Sequence, residues 1–127
     1  MRMSSSLADA GAESPPETRL RLAFLAAGLP RPTTQYVIVD ERGHYVRRID
    51  MCWEQFKVGA EYDGAHHLTS RGQYVLDVRV SRILHRLNRH VIHAIKEDSH
   101  TEIAAQARAA LLSRGWQPGT SNISCAE

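Results

Sequence analysis

The sequence predicts an α/β (α+β) domain built on a mixed central sheet, in the order helix, three strands, helix, strand, helix. Three observations carry that expectation. Short β-branched runs recur between 35 and 62 with turn residues between them, the pattern of consecutive antiparallel strands. A segment of helical period over 70–88 separates them from a fourth short run at 90–95, so the chain crosses over before the sheet resumes. Helix starts and stops fall between the runs, at Ser14-Pro15, Gly28, Glu97-Asp98-Ser99 and Arg114-Gly115.

Residues 1–13 are rich in Ser, Ala and Gly without a clear period, and are expected to form a flexible arm. Ser14-Pro15-Pro16-Glu17 reads as a capping box with proline at the first helical position. Leu20, Leu22, Phe24 and Leu25 then supply an apolar face, and Gly28 followed by Pro30 ends the helix. The first strand is expected over 35–40, a turn over 41–44 and the second strand over 45–51, closing a hairpin. The third strand is expected over 56–62, ended by Gly64. In the helix over 70–88, Leu76, Val80, Ile83, Leu84 and Leu87 fall on one face. The last helix runs from His100 to Ser113, and the tail beyond 117 is polar.

The 127 residues suit one domain, here 14–117, and 43% apolar residues suffice for a single core. A net charge of +2 leaves the partner open, since it neither identifies a nucleic-acid binder nor excludes a local basic patch. Cys52 and Cys125 are the only cysteines, so a cysteine zinc site is not expected and a reduced setting fits. Residues 1–13 have no apolar signal-peptide core, and no apolar run approaches the ~20 residues that span a bilayer. A cytoplasmic protein with no membrane partner is the expectation.

Chemistry concentrates in the middle of the chain. Asp50, Glu61 and Asp63 lie near the ends of neighbouring strands, beside Gly64 and His66-His67. Residues i and i+2 of a strand face the same way, which puts Glu61 and Asp63 on one side. Carboxylates converging in this way suit Mg²⁺, which takes oxygen ligands and retains waters. Glu61 follows an apolar strand that is expected to be buried on both faces, where an unpaired charge is costly. An ion pair with Lys57 or Arg48 is the competing role for it. Two adjacent histidines cannot both face one site from a strand, so at most one of His66 and His67 acts. Composition assigns Glu17 to the capping box, with a second role open if the helix start lies over the strand ends. Arg79, Arg82, Arg86 and Arg89, joined by Arg71, form a helical ridge that can track phosphates or remain a solvated face.

These residues resemble a known family. Ser14-Pro15-x-Glu17-x-x-Leu20, Arg48-x-Asp50, Glu61-Tyr62-Asp63-Gly64-x-x-His67, Gln73 with Asp77, and Arg114-Gly115-Trp116 carry the resemblance over about Ser14 to Pro118. The family is the set of small uncharacterised domains related to the very-short-patch repair endonuclease, within the PD-(D/E)xK or restriction-endonuclease-like superfamily. The resemblance implies a restriction-endonuclease-like core and a Mg²⁺-dependent endonuclease, with Mn²⁺ as a substitute, hydrolysing DNA. It implies metal binding by Asp50 and Glu61, with Asp63 as a third candidate, and a catalytic set that adds His67 and Glu17. Arg71, Arg79, Arg82 and Arg86 would hold the nucleic acid, and RNA remains open as a substrate. The family lysine two residues after the third-strand acid is Asp63 here, which leaves the general base open: Asp63 could take a metal, or His67 could handle protons. Lys57 or Arg71 could replace that lysine in space. Such domains often follow a winged-helix segment in longer proteins, and this chain is expected to be a free-standing or truncated version. The alternative expectation is a non-catalytic nucleic-acid or protein-binding module of a toxin–antitoxin or regulatory system. A homodimer or a toxin–antitoxin partner belongs to the same set of expectations.

Overall fold

The computed structural model describes residues 13–63 and 70–119. The expected arm before Glu13, Gly64, His66, His67, Cys125 and most of the expected tail lie outside the described residues. The element order is the one expected: α1 (Pro15–Ala26), β1 (Thr33–Val39), β2 (Tyr45–Trp53), β3 (Val58–Asp63), α2 (Arg71–Arg86), β4 (His90–Ile95) and α3 (His100–Ser113).

Helix α1 begins with the capping box. Ser14 Oγ accepts from the Glu17 amide at 3.3 Å, and Glu17 Oε1 accepts from the Ser14 amide at 3.2 Å. Two of the helix's orphan N–H groups are thereby satisfied. Gly28, at φ +87°, turns the chain out of the helix. Leu20 and Phe24, one turn apart, are fully buried. Leu22 does not share their face and is 52% exposed, because two residues rotate a helix by about 200°.

The sheet order is β1-β2-β3-β4. The first two pairings are antiparallel, and β3–β4 is parallel, joined through α2. Asp40 shapes the first hairpin by accepting from the amides of Arg42 and His44, both at 2.9 Å. Strand β2 runs on to Trp53, beyond the expected end at Met51, because Cys52 and Trp53 pair with Gly59 and Val58. Phe56 and Lys57, expected in the third strand, form the turn instead. Their amides donate to the Trp53 and Glu54 carbonyls, and Lys57 takes φ +55°. Asp50 consequently lies within β2 and not at its end.

Helices α1 and α3 cover one face of the sheet and α2 the other. The larger core joins Leu20, Phe24, Met51, Trp53, Val58, Ile92, Ile103 and Leu111. Trp53 stacks on Phe24 with ring centres 5.2 Å apart, and its indole N–H donates to the Pro30 carbonyl at 2.6 Å. The smaller core, under α2, joins Ile38, Ile49, Cys52 and Leu84, with Val80 and Leu87 packed against it. Leu76 was expected on that inward face and is 57% exposed, one turn before the helix meets the sheet.

Two irregularities shape the middle of the sheet. Ile49 and Met51 would share a face in a regular strand, yet they enter opposite cores, so β2 turns over at Asp50. On β1, Gln35 sits opposite Asp50 in register, between the Thr34–Met51 and Tyr36–Ile49 pairs, with φ +52°. At the far end of the sheet, Arg114 donates to the carbonyls of Asn88 at 2.6 Å and Phe56 at 3.2 Å, tying two turns together.

Gly59 is where the sheet tolerates no side chain. A methyl group there would overlap Ile49 Cδ1 and stand 3.2 Å from the Met51 carbonyl oxygen. Gly59→Ala is expected to cost about 1–3 kcal/mol in urea unfolding, the usual range for overpacking a core. A loss below ~0.5 kcal/mol, the scale of a neutral surface change, would show that Ile49 has room to move aside.

Candidate acidic centre between β2 and β3

The β2–β3 ladder runs from Trp53–Val58 to Met51–Ala60 and stops there. Continued by one step, it would pair Asp50 with Glu61. Instead the Tyr62 amide donates to Asp50 Oδ2 at 2.7 Å. The side chain of Asp50 takes the place of a ladder acceptor, while β3 stays paired with β4 as far as Asp63. The two central strands part at this point, and the start of α1 lies over the gap.

Glu17 reaches the same place from α1. Its Oε1 accepts from the Ser14 amide at 3.2 Å and from Gln35 Nε2 at 3.3 Å. It stands near enough to Asp50 for its charge to raise the Asp50 carboxyl. Glu17 is the capping acid that was expected, and it also bonds across to β1.

Charge crowding shows at Asp50. Burial pushes its carboxyl up, the Tyr62 amide opposes this, and the charges of Glu17 and Glu61 add to it, for a value of about 6. Glu61 is 8% exposed, buried as expected. Burial raises its carboxyl too, but His93 and Arg47 outweigh that and hold it below the ordinary carboxylate value. Arg47 grips it with two hydrogen bonds, Nε to Oε2 at 2.6 Å and Nη2 to Oε1 at 3.0 Å. His93 Nδ1 lies 3.2 Å from Oε1 and is itself raised, chiefly by that contact. The expected structural partners of Glu61 are not the ones used. Lys57 sits at the opposite end of β3 beside Glu54 at 3.9 Å, and Arg48 is exposed. Lys57 is therefore not a spatial substitute for the family lysine.

The remaining candidates are more scattered. Asp63 is exposed at the end of β3 and adds to the charge that keeps His93 raised. His67 lies outside the described residues. Asp77 of α2 is near enough to support the Arg47 charge, and it accepts from Gln73 at 2.9 Å. The arginine ridge is not one free surface. Arg86 pairs with Glu41 at 2.9 Å. Arg89, expected on the ridge, falls beyond the helix end, where Asn88 at φ +63° redirects the chain, and it pairs with Glu54 at 2.7 Å. Arg71 lies over the Tyr74 ring, and Arg79 and Arg82 are exposed.

Sequence reasoning missed Arg47, His93 and Gln35. For two of them the signal was register. Parallel alignment of the short strands puts His93 beside Glu61, and the hairpin register puts Gln35 opposite Asp50. Nothing local distinguishes Arg47 from Arg48.

Among the described residues, no group of three or more Asp, Glu, His or Cys side chains is arranged to hold a metal ion. The reason is visible at Glu61, whose oxygens are taken by Arg47 and His93. Asp50 and Glu17 have the donor chemistry that a hard cation takes. Mg²⁺ commonly takes one or two carboxylates and fills its octahedron with water and substrate phosphate. Asp50 is raised chiefly by burial, and also by the charges of Glu17 and Glu61, which such an ion would offset.

No protein-family model, curated protein or solved structure matches this chain. The resemblance to restriction-endonuclease-like domains is one of residues and motifs alone.

Asp50 makes stability depend on pH in a stated direction. Its folded value of about 6 exceeds the ordinary 3.8, so the folded state binds more protons between those limits and loses stability as pH rises through them. Asp50→Asn removes this while keeping an acceptor for the Tyr62 amide. In EDTA the variant is expected to melt above the native protein at pH 8 and close to it at pH 4. A lower melting temperature for the variant at pH 8 would contradict the crowding.

Proposed function

We propose that the chain is a Mg²⁺-dependent endonuclease acting on phosphodiester bonds in DNA, with a restriction-endonuclease-like core. The observation that carries this is the meeting of Glu17, Asp50 and Glu61, from a helix and two strands, where the central strands part. The mixed sheet with helices on both faces, in the order helix, three strands, helix, strand, is consistent with that core.

Asp50 and Glu17 would hold the ion. Bound Mg²⁺ supplies charge neutralisation and Lewis acidity at the phosphorus. Arg47, 37% exposed and already beside Glu61, would orient a phosphate oxygen through its planar fork. Glu61, released from Arg47, would join the ion. Asp63, exposed at the end of β3, would take a proton from the attacking water, with His67 as the alternative. Arg79 and Arg82 would contact the backbone of the duplex, and the Arg86–Glu41 pair, exposed on both sides, is cheap to exchange for a phosphate.

A second reading is favoured by the Arg47–Glu61–His93 group. A carboxylate held by a guanidinium and an imidazole needs no metal, and that suits a domain that binds nucleic acid or a toxin–antitoxin partner without cutting. No helix among the described residues is long and apolar enough to cross a membrane, and a cytoplasmic setting is part of both readings.

The two separate in one experiment on supercoiled plasmid with Mg²⁺ or Mn²⁺. The nuclease reading expects nicking by the native protein and a loss of about a hundredfold or more in Asp50→Asn, the scale of losing Lewis-acid assistance. Equal nicking by both proteins would overturn the assignment. Salt-sensitive retention of DNA without nicking would select the binding module.

A further inference from the structure

We propose that Gln35 is a positioning residue of the acidic centre, fixing the Glu17 carboxylate between α1 and β1. Gln35 is one of the few described non-glycine residues with positive φ, and it lies within a strand, where extended backbone is the rule. Residues persist in such conformations when their surroundings require it. The surroundings here are specific. Gln35 stands opposite Asp50, at the register position where β2 turns over between its two cores. The pairs on either side, Thr34–Met51 and Tyr36–Ile49, are intact, so the distortion is confined to the position facing Asp50.

The amide group explains why the distortion is useful. Gln35 Nε2 donates to Glu17 Oε1 at 3.3 Å, and the Ser14 amide donates to the same oxygen at 3.2 Å. The capping box alone ties Glu17 to its own helix. The Gln35 contact ties it to β1, and so to the strand next to Asp50. Glu17 is thereby oriented by two elements at once, as groups behind a ligand commonly orient it. Glycine would accept the backbone conformation more readily, yet it has no amide to offer. Gln35 acts through Glu17 and touches no reacting atom, which makes it a positioning residue.

Gln35→Gly separates backbone from side chain, since it keeps the left-handed conformation and deletes the amide. Gln35→Asn is the second variant, tolerant of the same backbone but one methylene short of Glu17. The deciding readout is a double-mutant cycle in urea unfolding without metal, pairing each variant with Glu17→Ala. The two side chains are expected to be coupled, so each double variant should lose less stability than the sum of its single changes. Strictly additive losses overturn the proposal. Calorimetry with Mn²⁺ is the second arm, and it alone rests on reading the centre as a cation site. There the folded Gln35 variants should bind about ten- to a hundredfold more weakly. Native protein that binds no Mn²⁺ defeats the cation site, while the cycle still decides the role of Gln35. Native-like Mn²⁺ affinity in both variants defeats the positioning role and leaves the cation site standing.

Discussion

One hydrogen bond organises the middle of this domain: the Tyr62 amide donating to the Asp50 carboxylate, where a backbone carbonyl would continue the sheet. A central ladder that ends early leaves polar groups that must find other partners. Here a side chain supplies the acceptor. That side chain is charged, and it is drawn into the gap between β2 and β3, where Glu17 and Glu61 also arrive. The parting of the strands and the gathering of carboxylates are two consequences of the same local event.

The centre is balanced unevenly. Glu61 has two basic neighbours and is held below the ordinary carboxylate value despite its burial. Asp50 has a backbone amide and, among the described residues, no cation paired with it, and its carboxyl is pushed to about 6. Buried charge is tolerated when paired and is costly when not. The fold has solved this problem for one acid and left it open for the other. A site that loses stability to hold a charge is the kind of local inconsistency that function imposes on an otherwise consistent design. The same asymmetry explains why the geometry supports both a metal-dependent reading and a metal-free one.

Much of the architecture was legible. The capping box at Ser14–Glu17, the hairpin turn at Asp40–His44, the span of β4 and the span of α3 follow from residue chemistry and period, and they stand in the structure as expected. The errors came where two rules compete. Phe56 and Lys57 alternate like strand residues, but the turn after Trp53 needs them, and Lys57 accepts a left-handed conformation to make it. Leu22 and Leu76 are apolar and helical without facing a core, since apolar identity alone does not fix an azimuth. The pairing of Asp50 with Glu61 as candidates could be read from residue type and order, and Glu17 joined them only through the resemblance. Their partners could not, because Arg47, His93 and Gln35 meet the acids only through strand register and the turn-over of β2 at Asp50.

The most direct test of this account is the titration of the Asp50 carboxyl in the native protein, followed by ¹³C NMR with and without Mg²⁺. A buried Asp50 with Glu17 and Glu61 nearby is expected to show a midpoint near 6 in the absence of metal and a clear downward shift when the ion is added. A midpoint at the ordinary aspartate value of 3.8, indifferent to Mg²⁺, would mean that the three acids do not share one environment.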